Sequence, residues 1–485
     1  MDLDEKTKAA AAGMEIGGAG VSPGFDRYVG EVDFRSKNQP WESRRAAGKA
    51  LRKATPREKH AGWTTPSDRP NPIDLIVASN RGRQPELVPL RMERMAASPF
   101  AFLRGAAAVM AWDLAHTPIS GLDVVIDGDA HLSNFGFYGT AQRDVVFDLN
   151  DFDETTYGPW EFDLKRLAAS VNVAARDNGV NRKDRRAAVR RCGGGYRANV
   201  KRLQDMGMLD LWHLHAYPGR NDPHIHPADK SVAAARQAVL KATEQTNLHL
   251  REQMAQRRPD GGWEFRDDPP VLTRVDSATA GKIVAGLSAY TQTVMPERRA
   301  LLRCYRVADI AHRVVGVGSV ATRAYLALLF GNGDDDPLFL QVKEAVAPAL
   351  GPYVAPLPES LRHDGRRVVF GQRTLQASSD ILIGWTTIDR RPYYVRQMRN
   401  LKGSMETAKL TGDLLQSYAA ACGYLLARAH SRMGAAATLA GYCGNSEVFD
   451  DALADFAEAY ADQTEADHEA FVKAYKSGKV LWING

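Results

Sequence analysis

The chain has 485 residues and an ordinary globular composition, 44% hydrophobic and 25% charged, which suggests two to four structural units. Lys+Arg 63 against Asp+Glu 58 leaves a net charge of +5, too small a surplus to argue for nucleic acid, and no segment approaches the roughly 20 apolar residues of a membrane span. The four cysteines, Cys192, Cys304, Cys422 and Cys443, form no C-x-x-C pair, so neither a structural zinc site nor a disulfide framework is indicated. The acidic start (Asp2, Asp4, Glu5) does not read as a secretory signal, and a reducing, cytoplasmic location is expected.

In chain order, residues 1–70 read as a poorly ordered basic arm, with Ala and Gly over 8–20 and then Arg44, Arg45, Lys49, Arg52, Lys53, Arg57 and Lys59. That run reads as a solvated amphipathic segment rather than a nucleic-acid contact. Ser98 and Pro99 serve as N-cap and first residue of helix within 91–116, where Arg104 is in a position to reach a phosphate but is expected rather to make a surface or structural ion pair. Residues 122–126 (LDVVI) and 145–149 (VVFDL) are short buried strands. A helix begins near Pro159 and Trp160, with Leu164, Leu167, Ala168 and Val171 on one face, and stops at Asn178 and Gly179. Further helices are expected over 182–206, 229–256 and 277–300. His213, His215, His224 and His226 have H-x-H spacings, but a Pro- and Asp-rich loop with no Cys argues against a metal.

From about 301 the pattern becomes antiparallel β. Residues 313–318 (RVVGVG) read as a strand running into a glycine turn, 324–330 as a second strand, 331–334 (GNGD) as a hairpin turn, and 338–342 as a third strand that delivers Lys343. A helix near 366–378 and strands at 381–388 and 393–397 complete a small sheet. Helices return over 405–432 and 446–475, with Asn445 and Ser446 as cap candidates. The expected class is α+β: a helical unit over 71–300, a sheet unit over 301–400, and C-terminal helices over 401–485 that pack back on the first.

The chemistry concentrates in residues 127–163. Asp129 follows a buried strand and precedes Asn134 by five residues. An aspartate so placed can accept a proton from a hydroxyl, and an amide oxygen can ligate a divalent cation. Asp151 follows the second strand and supplies a carboxylate. Phosphoryl transfer needs both elements, because its catalysis is mostly positioning and charge neutralisation. An isolated acidic run would read as a solvated turn. Here strand, D-x-H-x-x-N, strand and D-F-D occur in register, which favours function.

The string Gly128-Asp129-Ala130-His131-Leu132-Ser133-Asn134 resembles the G-D-x-H-x-x-N loop of aminoglycoside phosphotransferases and other protein-kinase-like enzymes. Asp151-Phe152-Asp153 resembles their D-F-G, with Gly158 and Asp163-Leu164 at the following positions of that pattern. At finer grain the strings SPFAFLRGAA, GDAHLSNFGF, VFDLNDFDETTYGPWEFDLKRLAAS, RVVGVGSVATRAYLALL, DPLFLQVKEA and YYVRQMRNLKGS resemble the bacterial DUF2252 family over most of residues 90–470. The kinase-like resemblance implies a two-lobed fold with ATP and Mg²⁺ as cofactors, and a small-molecule hydroxyl acceptor that the sequence does not identify. It implies Asp129 as catalytic base and Asn134 and Asp151 as metal ligands. Gly316, Gly318, Ser319, Lys343 and Gln397 would bind nucleotide, while His131 and Asp163 are structural. Because the glycine turn and lysine strand follow the catalytic loop, the implied lobe order is circularly permuted.

The resemblance also implies a helix Glu as partner for Lys343. The helix offers Gln372 and Gln376, while Glu344 points to the opposite face, so the pair is absent or supplied from elsewhere. Lys165 and Arg166 read as ordinary surface charges, and Arg396, Arg399 and Lys402 as a basic cluster near the hinge. A nucleotide-binding pseudokinase and a metal-dependent phosphohydrolase are the competing readings. Both share the acidic elements but not the full constellation.

Overall fold

A computed structural model describes residues 39–217, 229–314, 316–398 and 401–478. The chain is α+β. Its principal helices are α1 (Trp41–Leu51), α2 (Pro99–Gly105), α3 (Ala107–Ala115), α4 (Trp160–Asp177), α5 (Arg182–Leu203), α6 (Ser277–Tyr290), α7 (Asp364–Leu375), α8 (Gly412–His430), α9 (Ala436–Cys443) and α10 (Val448–Lys476). Its strands are β1 (Asp123–Ile126), β2 (Phe135–Gly139), β3 (Val145–Leu149), β4 (Thr156–Pro159), β5 (Ala255–Arg257), β6 (Trp263–Phe265), β7 (Leu272–Arg274), β8 (Arg306–Arg313), β9 (Ala324–Phe330), β10 (Pro337–Glu344), β11 (Gly384–Ile388) and β12 (Arg391–Gln397).

Helix α4 is the centre of the helical region. It is buried on every face from Trp160 to Ala175, so its polar side chains need partners. Ser120 N donates to Glu161 at 2.7 Å, Lys165 donates to Pro118 O at 2.9 Å, and Asn172 donates to Glu458 of α10 at 2.9 Å. Lys165 and Arg166, expected at the surface, are both buried. Burial pulls the Lys165 pKa down to about 7, against the opposing pull of Glu161.

Glycines let the outer helices approach backbone to backbone. A Cβ on Gly423 of α8 would lie 2.1 Å from Cys192 O of α5, and one on Gly195 of α5 would lie 2.4 Å from Ala420 O of α8. The same device docks α1 on α9, where a Cβ on Gly48 would lie 1.9 Å from Thr438 O. The segment 39–70, expected to be part of a poorly ordered arm, is therefore packed structure, and residues 1–38 lie outside the described residues. Arg52 and Arg57 of the basic run donate to the carbonyls of Tyr442 and Cys443 at 2.8 and 2.7 Å, where α9 ends.

The sheet region is a six-stranded antiparallel sheet in the order β11-β12-β10-β9-β8-β7. Lys343 of β10 stands opposite Ala324 of β9 and Tyr394 of β12. Helix α7 runs between β10 and β11 in sequence, and α6 packs on β11 through Gly286, whose Cβ would meet Ile388 at 2.5 Å. The strand read at 122–126 is β1, whereas β4 and β7 had no signal of their own, because three- and four-residue strands are too short for periodicity. Helix within 91–116 is broken at Ala97 and Ala106 rather than continuous, and Ser98 Oγ accepts from Ala101 N at 3.2 Å as the cap. Helix α10 begins at Glu447 without a side-chain cap, not at Asn445 or Ser446. Among the described residues no helix is long and apolar enough to cross a membrane.

Gly423→Ala is expected to lower stability by about 1–3 kcal/mol through overpacking, although alanine in a helix interior is intrinsically better by about 1 kcal/mol. Urea unfolding measures the balance, and an increase in stability would mean that α5 and α8 can separate without loss.

Candidate functional site

The two acidic loops meet because β2 and β3 form a hairpin. Phe135 pairs with Leu149, and Asn150 N donates to Asn134 O at 2.9 Å. The residues just before β2 therefore lie beside those just after β3. The second pair, β1 with β4, places Asp127 next to Thr155 through the Ile126–Thr156 register. Gly128 sits between them at φ +80, and a Cβ there would lie 2.2 Å from Glu154 O. Only glycine fits this loop.

Asp163, at the start of α4, fastens the loop. Its carboxylate accepts from Asp127 N at 2.7 Å and Gly128 N at 2.8 Å, and His430 Nε2 lies 3.1 Å away. Asn134 donates from Nδ2 to Asp129 O at 2.8 Å, which turns its amide oxygen away from that carbonyl. His131 is buried, with Nε2 3.7 Å from Asp129 Oδ2 and its ring edge-on to Phe100. Burial, then Arg104 and Arg166, hold its pKa well below the usual imidazole range. His131 is a neutral packing group, and Asp163 a structural anchor.

Asp129 Oδ1 receives Arg166 Nε at 2.5 Å. Burial raises the Asp129 pKa, Arg166 opposes it, and Glu154 and Asp151 add repulsion, so the carboxyl is pushed up to about 7. Asp127 is more extreme. It is 1% exposed, and among the described residues neither carboxyl oxygen has a hydrogen-bond partner. Burial and then the charges of Asp163, Asp129 and Asp151 push it well above the usual carboxylate range.

The sheet supplies the opposite wall. Lys343 Nζ forms an ion pair with Asp153 Oδ2, and Tyr394 OH donates to Asp153 Oδ1 at 2.8 Å. Burial works against the Lys343 charge, but Asp153, Tyr394 and Asp151 outweigh it and raise the pKa. The partner for this lysine thus comes from the N-D-F-D loop. Glu344 faces the other way, toward Arg323 at 3.1 Å and Arg391 at 2.9 Å. The glutamines of α7 have a structural use: Gln372 donates to Gln376 Oε1, and Gln376 donates to Leu149 O, both at 2.9 Å. Arg367 of α7 clasps the acidic loop, donating to Thr155 O at 2.5 Å, Asp153 O at 2.9 Å and Val346 O at 2.6 Å.

Part of this set, Asp153 included, borders one cavity of about 620 Å³, whereas Lys343 is not one of its lining residues. Asp127, Asp129, His131, Asn134, Asp151, Asp153 and Glu154 form an acidic floor, and Gly316, Gly318 and Ser319 form part of the wall. The glycine turn is held by arginines: Arg83 donates to Gly318 O at 2.9 Å and Val320 O at 2.7 Å, and Arg94 donates to Gly316 O at 2.6 Å. Gly316 has φ +81, which suits glycine alone. Gln397 is not brought to this cavity. It borders a separate pocket of about 130 Å³ with Tyr138, Gln376 and Asp380, and its backbone N donates to Asp380 at 2.5 Å.

Asn134 and Asp151 both line the cavity, and an amide oxygen and a carboxylate are donors of the type Mg²⁺ takes, a hard cation that completes its shell with phosphate oxygens and water. Among the described residues no group of three or more His, Cys, Asp or Glu is placed to hold a metal, so a fully protein-bound ion is not offered. His213 and His215 contact each other through His215 Nδ1 and His213 O at 2.6 Å, while His224, His226 and Arg399 lie outside the described residues. Arg83, Asp153, Arg166 and Arg367 escaped the sequence reading. They hold the site through long-range contacts, and the only local hint was the charge of Lys165 and Arg166 inside an otherwise apolar helical run.

A family model described as an uncharacterized protein conserved in bacteria (DUF2252) matches residues 83–474. No curated protein and no solved structure matches the chain.

The raised Asp127 pKa has a sign that can be checked. A folded-state value above the unfolded one gives stability that is full below the unfolded pKa of about 4 and is lost as pH rises through the folded value. Asp127→Asn removes that loss. Without divalent cation, its urea-unfolding stability is expected to match wild type near pH 4 and to exceed it increasingly toward pH 8. A pH-independent difference would mean that Asp127 does not titrate differently on folding.

Proposed function

We propose that this chain, which belongs to the DUF2252 family, is an ATP- and Mg²⁺-dependent phosphotransferase acting on a small-molecule hydroxyl, with a protein-kinase-like layout in permuted lobe order. One observation carries the reading. The Asp129, Asn134 and Asp151 loops border one cavity beside a glycine turn, and Asp153, which also borders it, is paired with Lys343, 190 residues away. The order of the sheet region supports it too: hairpin β8–β9, lysine strand β10, helix α7, then β11 and β12. That is the succession of parts a kinase-like nucleotide lobe uses.

In this reading Asp129 takes the proton of the acceptor hydroxyl as its oxygen attacks the γ-phosphorus. The bond from that phosphorus to the β,γ-bridging oxygen breaks, and ADP leaves with the electron pair. Asp129 is suited to the task, since a base with a pKa near 7 combines availability with driving force at neutral pH. Arg166 fixes its Oδ1, leaving Oδ2 to face the substrate. Asn134 Oδ1 and Asp151 would hold Mg²⁺, which when bound neutralises phosphate charge. Lys343 supplies a fixed positive charge from the sheet, and the backbone amides at Gly316 and Gly318 can approach phosphate because no side chain intervenes.

The pseudokinase reading draws on one observation: α7 presents Gln372 and Gln376 where a lysine-pairing carboxylate would stand, and Lys343 is instead engaged with the acidic loop. The phosphohydrolase reading is disfavoured among the described residues, because a binuclear site needs clustered ligands that are not placed there.

Calorimetric titration of ATP with Mg²⁺ into wild type and Asp151→Ala tests the metal assignment; equal affinities would remove it. ATP turnover separates enzyme from pseudokinase. Asp129→Asn is expected to reduce turnover by about 10²–10⁴-fold while leaving ATP affinity nearly unchanged. Because the base must be ionised, the wild-type rate is expected to rise with pH through about 7 and then level. A flat profile between pH 5.5 and 8.5 would exclude Asp129 as the base.

A further inference from the structure

The arginines that border the cavity differ in how their donors are used. Arg83 gives its donors to Ser79 O, Gly318 O and Val320 O. Arg91 bonds Asn80 Oδ1 at 2.6 Å and Gly105 O at 2.7 Å. Arg391 pairs with Glu344. Arg81 and Arg390 are exposed at the rim. Arg104 is different. It ends α2, is half-buried, and borders the cavity. No hydrogen bond or ion pair forms on its guanidinium among the described residues, and its Nε is buried without a partner. The guanidinium carbon lies 5.9 Å from the centre of the Phe100 ring, and Phe100 also contacts His131. A Cβ on Gly318 would lie 3.2 Å from Arg104 O, so the glycine turn is seated against this residue.

An arginine fork left unbonded in a partly desolvated site is costly unless something anionic completes it. The nearby carboxylates do not do so. Asp129 and Asp151 act on Arg104 electrostatically, yet neither forms an ion pair with it, and Asp129 is bound to Arg166 instead. The space that Arg104 shares with the acidic floor and the glycine turn suits a tetrahedral oxyanion with several acceptor oxygens, which a planar guanidinium recognises with two parallel donors.

We propose that Arg104 is the receptor for a phosphate-class anion in this cavity and, resting on the phosphotransfer reading above, that the anion is the γ-phosphoryl group in transit between ATP and the acceptor. The group in transit lies between the base and the metal-binding carboxylate, and those are the two carboxylates whose charges Arg104 feels. Arg104 thus acts as a cis-supplied guanidinium that neutralises the equatorial oxygens. The acidic floor alone would repel them, and Lys343 is already engaged with Asp153.

The test is calorimetric titration of Mg²⁺ with tripolyphosphate, ATP and ADP into wild type and Arg104→Ala, with folding checked by thermal unfolding. Arg104→Ala is expected to bind tripolyphosphate and ATP about tenfold or more weakly while binding ADP as wild type does. Equal tripolyphosphate affinity in the two proteins overturns the assignment of Arg104, whatever ATP does. Unequal tripolyphosphate affinity in a protein that binds neither ATP nor ADP removes the nucleotide reading and leaves the anion site. If Arg104→Ala fails to fold, Arg104→Lys serves the same comparison. It keeps the charge and loses the fork, so weaker tripolyphosphate binding supports the proposal and unchanged binding overturns it.

Discussion

The Lys343–Asp153 ion pair is the constraint on which the rest of the site depends. It joins the third strand of the sheet to the loop after β3, across 190 residues of chain. A lysine buried on a sheet face is stable as a cation only if an anion meets it there. Removing either partner would leave the other as an unpaired buried charge, at a cost of about 3–5 kcal/mol. The pair is also braced. Tyr394 bonds the second carboxyl oxygen of Asp153, and Arg367 holds the Asp153 carbonyl. The sheet and the helical region are therefore registered to each other at the point where the cavity's two walls meet.

The electrostatics of the cavity are those of too many acids in too little water. Asp127, Asp129, Asp151, Asp153 and Glu154 share one floor. They cannot all be charged and unpaired, and the structure handles them differently. Asp153 has Lys343, Glu154 accepts from Ala349 N at 2.6 Å, and Asp129 has Arg166. Asp127 has no cation among the described residues and is held toward its neutral form by burial, against the nearby backbone N–H of Asp129. The result is a graded set, with the Asp129 carboxyl pushed up to about 7 and Asp127 held well above the usual carboxylate range.

Arginine has a second and quieter part in the architecture. Arg52, Arg57, Arg83 and Arg94 bond backbone carbonyls, and Arg367 bonds three of them besides the carboxylate of Asp364. These bonds satisfy carbonyls at helix ends and loops that would otherwise be stranded where packing excludes water. They also connect segments far apart in sequence, Arg83 with the glycine turn and Arg367 with the acidic loop.

The sequence by itself determined the local pieces. Apolar runs marked β9, β10 and β12 of the sheet, whereas the run at 313–318, read as a strand, begins where β8 (Arg306–Arg313) ends. Ser98 and Pro99 marked a helix start, and the spacing from Asp129 through Asp163 set two acidic loops ahead of a helix. It also indicated that Glu344 faces away from Lys343, because side chains alternate along a strand. Tertiary structure decided what those pieces meet. Asp153 as lysine partner, Arg166 as the grip on Asp129, the arginine clasp of Arg367, the burial of Lys165 and the separation of Gln397 all follow from contacts between distant segments. The packing of α1 on α9 belongs to the same class, since a glycine that permits backbone contact looks in sequence like any flexible residue. Local propensity is written in neighbours three or four residues away, while the partner of a buried charge is fixed only when the whole chain has closed around it.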